Sequence, residues 1–448
     1  MNILNKMGNK VLIVGSGARE HALARAYLTY SNVEQVVVTP GNDGMIEWAI
    51  NRFPLKLRIS KSSSLKNPQS ILSVAREYKP DLIDVAQDDA LAAGTVDLLE
   101  CEGFRVFGPT KKAAQIEWDK EWSREFMTRH NISAPEYKAF TNLEEGAAYA
   151  REMLTKKGGV FIKAAGLYAG KGVIPAFNSE EITKAIDEIK KMGEASRVFL
   201  VEEAMRGEEF SYYAIVDGKN FKCFKSAQDN KRVYNRDQGP NTGGMGANSP
   251  ALVTKGLEEK IEKDIIAKVI KGMAEEGRPY KGILYLGGMV CEDGSLKVVE
   301  FNSRWGDPEC HVILPGIQTN YFDLVNAAID GKISEVQLKE DSLMRVCIIG
   351  ASAGYPGEYK KEKRIYIEND LPEGIHFLGA GIKSHEGELY TNGGRVFSII
   401  AKGEDVIESR KKALQGIACC AIEDNGLHYR TDIAWRDVQR LQNDKKII

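Results

Sequence analysis

No apolar run in this sequence is long enough to cross a bilayer. The best candidate, GILYLGGMVC at 282–291, falls well short of the roughly 20 residues that a spanning helix needs, so no membrane partner is expected. There is no surplus of basic charge either. The 61 Lys+Arg stand against 63 Asp+Glu, a formal net charge of −2, whereas gripping a nucleic-acid backbone calls for a basic excess. Nucleic acid is therefore not an expected partner. Cysteine is sparse: seven residues, scattered and without a CxxC pair, which suggests reduced thiols rather than a disulfide frame or zinc site. Histidine is scarcer still, at six, and no Ser/His/Asp or Cys/His pairing marks a nucleophile. The opening MNILNKMGNKVLIVGSG has no signal-peptide layout and reads as a tail leading into a buried strand. A cytoplasmic location is the resulting expectation.

What is present is an ordinary globular balance, 43% hydrophobic and 28% charged, over 448 residues. That length suggests about three domains of roughly 150 residues each. The first 110 residues alternate strand and helix patterns: VLIVG (11–15), a helix over 20–30, QVVVTPGN (35–42), a helix over 70–78, DLIDVA (81–86), a helix over 90–100, and RVFGP (105–109). Such alternation implies a parallel sheet with ligand loops at the strand carboxyl ends. A helix-rich stretch (110–131) and a β-rich region follow. NSEEITKAIDEIKKM opens on Asn178 and Ser179, both good N-caps. A helix is expected over 255–276, and MVCEDGSLKVVEFN (289–302) reads as a hairpin turning at Asp293-Gly294. A third region begins near 341. No internal repeat or low-complexity linker is found.

The 43 glycines are clustered, and the clusters carry the chemistry. GSGARE (15–20) starts like a dinucleotide fingerprint, but Glu20 stands in the third glycine's place and the second strand ends in Thr-Pro-Gly-Asn rather than an acid. It reads as a tight turn, or as a loop binding some other anion. GLYAGKGV (166–173) fails as a P-loop because of its spacing, its missing Ser/Thr and the strand after it. With Lys163 before it and Lys171 inside it, it suits a lid over a triphosphate. In VVEFNSRWGDPE (298–309), strand alternation places Glu300, Asn302 and Arg304 on one face. A carboxylate and an amide oxygen two residues apart make a platform for Mg²⁺; a solvated strand face is the alternative. The long loop NRDQGPNTGGMGANSP (235–250) follows Asp229, Lys231 and Arg232, and its length suggests function. His21 could meet a ligand or simply pack at a helix end. Trp118, Trp122 and Trp305 read as core.

These segments, in this order, resemble the phosphoribosylamine–glycine ligases of the ATP-grasp superfamily. The likeness covers GSGAREHAL, TPGN, FGPTKKAAQIEWDK, IKAAGLYAGKGV, VEEAMRGEE, QDNKR, GPNTGGMGANSP and EFNSRWGDPEC, then GYPGEY, TNGGRV and YRTDI. It implies a multidomain α/β and α+β fold: a Rossmann-like domain at 1–115, an ATP-grasp domain at 116–330 with a hinged lid at about 135–205, and a small C-terminal domain at 331–448. It also implies a ligase that activates glycine as an acyl phosphate and transfers it to 5-phosphoribosylamine, with ATP and Mg²⁺ or Mn²⁺, as a monomer or weak homo-oligomer. The alternative is a related ATP-grasp ligase with another amine.

By this resemblance, Lys120 and Lys163 contact ATP phosphates, and Gly166, Gly170, Lys171 and Gly172 belong to the lid. Glu202, Glu203 and Met205 form the adenine hinge, with Glu209 near the ribose. Glu300 and Asn302 hold the metal. Asp229, Lys231, Arg304 and Asp307, together with Asn241, Thr242, Gly243, Gly244, Met245 and Gly246, surround the acyl phosphate and amine. Gly17, Arg19, Glu20, Pro40, Gly41 and Asn42 contribute on the ribose-phosphate side. The sequence departs from the family at AQDDAL (86–91), where Gly-Pro-Glu and then Pro-Leu are common, and at Asn230, where His is usual.

Overall fold

The computed structural model describes residues 9–30, 32–50, 52–166, 172–368 and 371–447. The N-terminal strands form one parallel sheet. Its order is Leu57–Ile59, Val33–Pro40, Asn9–Gly15, Leu82–Val85, Val106–Phe107. Valine and isoleucine fill both faces, as a sheet covered by helices on two sides requires. The strand order reverses beside Asn9–Gly15, so the loops after it and after Leu82–Val85 open onto one crevice. The helix expected over 90–100 is two short helices, Asp88–Ala92 and Thr95–Cys101. Gly94 between them has φ +85°, a left-handed conformation that breaks the helix.

The central region is built on an antiparallel sheet ordered Phe221–Cys223, Gly207–Asp217, Lys281–Cys291, Leu296–Asn302. Its long strands are buried on both faces. Tyr212, Ala214 and Val216 join one core cluster, while Tyr213 and Ile215 join another. This explains the unbroken apolar run at 282–291, which is a two-sided strand. The expected helix over 255–276 is present as Glu258–Ile261, a π-helical turn Glu262–Ile266, and Ala267–Glu275.

A smaller antiparallel sheet, Tyr137–Phe140, Phe199–Glu203, Val160–Ala164, Val173–Ala176, has its own core under helices Leu143–Lys157 and Ser179–Lys191. The latter helix is capped as expected, Asn178 Oδ1 accepting the Glu181 N–H at 2.9 Å.

The C-terminal sheet is not confined to the end of the chain. Gln228–Asp229 and Gly246–Ser249 pair in sequence onto Met344–Ser352, which pairs with Arg395–Gly403 and then Ile375–Gly379. The segment read as a 235–250 loop is therefore partly β. It makes a hairpin, Arg232–Tyr234 with Gln238–Asn241, and then a strand buried in a distant sheet. Glycine-rich composition hides such a strand because its partner lies about a hundred residues away. The protein is thus a multidomain α/β and α+β molecule, a parallel N-terminal sheet joined to antiparallel sheets.

Candidate active site

The turn after the first strand is shaped by its own glutamate. Gly15 has φ +149°, and a Cβ there would lie 2.4 Å from Glu20 Cδ. Glu20 folds back so that Oε2 accepts the Gly17 N–H at 2.6 Å and Oε1 accepts from Arg19 Nε at 2.7 Å. The carboxylate thus takes the place at the helix N-terminus that a dinucleotide pyrophosphate would need. Arg19 also donates to Trp305 O at 3.1 Å and to Gln87 Oε1. Burial opposes its charge, but Glu20 and other nearby acids hold its pKa above the ordinary value. Gly41 N–H donates to Gly15 O at 3.0 Å, just after Pro40. Asn42 Nδ2 donates to Ser16 O at 2.8 Å, while its Oδ1 is buried without a partner. His21 is an interdomain contact: its Nδ1 accepts the Gly379 N–H at 2.9 Å, and burial pushes its pKa down to about 3.

A cleft of about 290 Å³ opens where this turn meets the C-terminal sheet. Ser16, Gly17, Asp307, Tyr355, Gly381 and Arg395 help to line it. Arg395 Nη1 donates to Asp307 Oδ1 at 2.9 Å and to the carbonyls of Asp307 and Gly243 at 2.8 and 2.7 Å. Burial disfavours the Asp307 charge, yet Arg395 and His311 bring its pKa down to about 2.

The glycine-rich segment is knitted to the same cleft. Gly243 N–H donates to Tyr355 Oη at 3.0 Å, and Thr242 Oγ1 accepts the Gly244 N–H at 3.0 Å while donating to Lys231 O at 2.7 Å. Asn241 ends the preceding exposed strand, and Met245 is fully buried with its N–H on Asn230 O. Gly244 has φ +110°, and a Cβ would strike Pro308 Cδ at 2.5 Å and Asp229 Oδ1 at 2.8 Å. Only glycine lets this loop close on both. Asp229 Oδ1 is buried without a partner, and burial together with Glu309 raises its carboxyl well above the usual range. Asn230, the departure in QDNKR, faces the fold. It is 2% exposed, and its Oδ1 accepts the Ala434 N–H at 3.1 Å.

A second cluster lies along the central sheet. Glu300 and Asn302, expected on one strand face, follow an irregularity in the strand. The register shifts there, Gly287 pairing Glu300 while Gly288 pairs Val298. This bulge sends Val298 and Phe301 into the core and leaves Glu300 half-buried on the other side. Glu300 forms no hydrogen bond or ion pair among the described residues. Asn302 Oδ1 accepts from Arg304 Nη2 at 3.0 Å, and its Nδ2 is buried without a partner. Arg304 also meets Glu117 at 2.9 Å. Glu117 in turn accepts from the Ser303 N–H at 2.9 Å and from the Ser303 hydroxyl at 2.6 Å.

Lys120 Nζ donates to Gly166 O at 3.2 Å, and its pKa is lowered by burial. Lys163 sits 2.6 Å from Glu202, which Arg124 also holds at 2.6 and 2.9 Å. Burial opposes the Glu202 charge, but Arg124 and Lys163 pull its pKa down to about 2. Glu203 is paired with Lys157 at 3.0 Å and with Lys297. Both carboxylates expected at the adenine hinge are thus committed to ion pairs, and Met205 beside them is half-buried. Glu209 lies on the rim, 2.9 Å from Lys231, which holds its carboxyl below the ordinary range. Gly172 accepts the Ala164 N–H at 2.8 Å. Gly170 and Lys171, expected in the lid, lie outside the described residues.

Among the described residues, no group of three or more His, Cys, Asp or Glu could hold a metal alone. An unpartnered carboxylate beside an amide oxygen does fit a hard cation that takes its other ligands from water and nucleotide. Sequence reasoning assigned no role to Arg395, Tyr355, Gln87, Asp88 or Arg124. TNGGRV and GYPGEY carried a signal, a cation and an aromatic beside glycine turns. Gln87 and Asp88 fall within the divergent AQDDAL. Burial opposes the Asp88 charge, and Arg304 and Arg19 lower its pKa.

Family models described as the phosphoribosylglycinamide synthetase N domain, ATP-grasp (A) domain and C domain match residues 9–117, 118–310 and 345–436. The chain is 38% identical to a phosphoribosylamine–glycine ligase of Vibrio vulnificus, over 96% of this chain and 99% of that one. It is also 38% identical to the trifunctional purine biosynthetic protein adenosine-3 of Bos taurus, where it spans 43% of the relative's length. Among solved structures, the phosphoribosylamine–glycine ligase of Thermotoga maritima matches with a TM-score of 0.77 at 31% identity, covering 95% of this chain and 100% of that one. A biotin carboxylase of Campylobacter jejuni shares the fold, with a TM-score of 0.70 at 14% identity over 94% of this chain and 93% of that one.

Proposed function

The chain belongs to the phosphoribosylglycinamide synthetase, or phosphoribosylamine–glycine ligase, family, and from that premise we propose that it joins glycine to 5-phosphoribosylamine in purine biosynthesis. One glycine carboxylate oxygen attacks the γ-phosphorus of ATP, giving glycyl phosphate and ADP. The amine then attacks the acyl carbon, the C–O bond to phosphate breaks, and the nitrogen sheds a proton. The products are glycinamide ribonucleotide, ADP and phosphate.

The observation that carries this reading is the arrangement of charge. Lys120, Lys163 and the unpartnered Glu300 form one pole, and the Arg395–Asp307 cleft forms another, with Asp229 and the 241–246 segment between them. Two phosphate-bearing substrates need two such poles, and the chemistry between them needs positioning and charge neutralisation rather than a nucleophile. Lys120 and Lys163 would neutralise the triphosphate under a lid formed by 135–205. The edge at Glu202–Met205 would receive adenine, with Glu209 near the ribose. Glu300 and Asn302 would hold Mg²⁺ or Mn²⁺, which offsets charge on the phosphate oxygens when bound. Arg304 and Lys231 would face the acyl phosphate. Asp229 would lie beside the reacting amine, against Gly244. Gly17, Asp307 and Arg395 would receive the ribose phosphate, with Arg19, Glu20, Pro40, Gly41 and Asn42 supporting that wall.

The test is isotopic. With ¹⁸O in the glycine carboxylate, ATP and phosphoribosylamine, the label should appear in released phosphate, and only when all three substrates are present. Label in AMP, or equal turnover with an unrelated amine, would overturn the reading.

A further inference from the structure

A second cavity of about 180 Å³ lies at the far end of the same interdomain seam. Helix Ala18–Leu28 runs from the active-site cleft, which Ala18 lines, to this cavity, which Arg25 lines. Seven residues at about 1.5 Å each put the two roughly 10 Å apart along the helix. Strand Arg395–Gly403 makes the same journey, with Arg395 at the cleft and Lys402 at the cavity. The fully buried His311 lines this cavity and lies 3.7 Å from Asp307 of the cleft.

The cavity's charge is one-sided. Arg25 is half-buried, His376 is half-buried on the neighbouring strand, and Lys402 sits at the mouth. None of these side chains has a hydrogen-bond or ion-pair partner among the described residues. The one carboxylate in the lining, Asp341, is already committed to Arg345 at 2.9 Å and through a second, shorter contact. Burial lowers the Arg25 pKa to about 10, with Arg52 and Arg345 adding repulsion. His376 is held down to about 3 by burial and by Arg25, Lys402, Arg52 and Arg345. Cations with no counter-charge in a sheltered space destabilise one another unless an anion enters. A guanidinium fork beside an imidazole and an ammonium suits a tetrahedral oxyanion.

We propose that this cavity binds a phosphate group, held by Arg25, His376 and Lys402, and so ties the first helix to the C-terminal sheet. The site is separate from the ligase chemistry, and its failure would leave that reading intact.

The experiment uses the full chain, with two probes in separate titrations: inorganic phosphate and ribose 5-phosphate. The His376 ring resonance, assigned with His376→Gln, reports the site directly. Either probe should raise the His376 pKa and the Tm. A response to inorganic phosphate alone assigns the free ion; a stronger response to ribose 5-phosphate assigns a phosphomonoester. Arg25→Gln should weaken half-saturation about tenfold or more, the size of one charge-assisted contact. Arg395→Gln, in the other cleft, should leave the His376 response in place. Should Arg25→Gln fail to fold, the exposed Lys402→Gln replaces it. A silent His376 with both probes, or a response that survives Arg25→Gln but is lost in Arg395→Gln, overturns the proposal.

Discussion

The two cavities towards opposite ends of helix Ala18–Leu28 use cations in opposite ways. In the cleft, Arg395 is fully engaged, by Asp307 and two carbonyls. In the second cavity, the Arg25 side chain has no hydrogen-bond or ion-pair partner among the described residues. The same contrast recurs in the central sheet, where Glu202 is clasped by Arg124 and Lys163 while Glu300 has no partner among the described residues. Paired charges fix the shape of a site, because each partner satisfies the other's desolvation. Unpartnered charges mark where something else must arrive.

The largest test of that contrast is Glu300→Ala. Turnover should fall by about 10³-fold or more, as loss of a group acting on transition-state charge implies, with little change in Tm. A collapse in Tm instead would make Glu300 a scaffold residue and break the comparison.

Glu202→Gln should do the reverse. It strands two buried cations and should cost about 3–5 kcal/mol of stability, read by denaturant unfolding.

The same residue sharpens the contrast through pH. Its folded pKa is depressed from 4.5 to about 2, so its contribution is complete above about 4.5 and is lost as pH falls towards 2. The acid limb of a Tm-versus-pH curve should be flatter in Glu202→Gln; an unchanged limb would show that other carboxylates govern it.

The smallest effect separates two arginines of one cavity. Arg25→Leu should be neutral or stabilising by up to about 1 kcal/mol in phosphate-free buffer, because it removes an uncompensated charge. Arg345→Leu should destabilise by about 3 kcal/mol, because it strands Asp341. Equal losses in both would mean that Arg25 has a structural partner after all.

Much of the fold was legible wherever a local rule applied. The parallel sheet followed from short apolar runs alternating with helical periods, and the Asn178 cap and the Asp293-Gly294 turn formed as their chemistry dictates. The site was legible as a set of motifs. Its geometry was not. The bulge opposite Gly287 and Gly288 turns Glu300 away from the core, and nothing in VVEFN announces it. Gly246–Ser249 became a strand because Met344–Ser352 offered an unpaired edge, a decision made about a hundred residues away. Glu20, read as a flaw in a fingerprint, is the group that fills the turn.

The amino-acid sequence alone determined the element types, the family and the residues that could carry charge to two phosphates, because these depend on local periodicity, turn chemistry and motif order. Only the tertiary structure decided which of those charges are paired and which are left free. Pairing depends on distances between side chains far apart in the chain, and Coulomb energy in a partly buried setting changes steeply over a few ångströms.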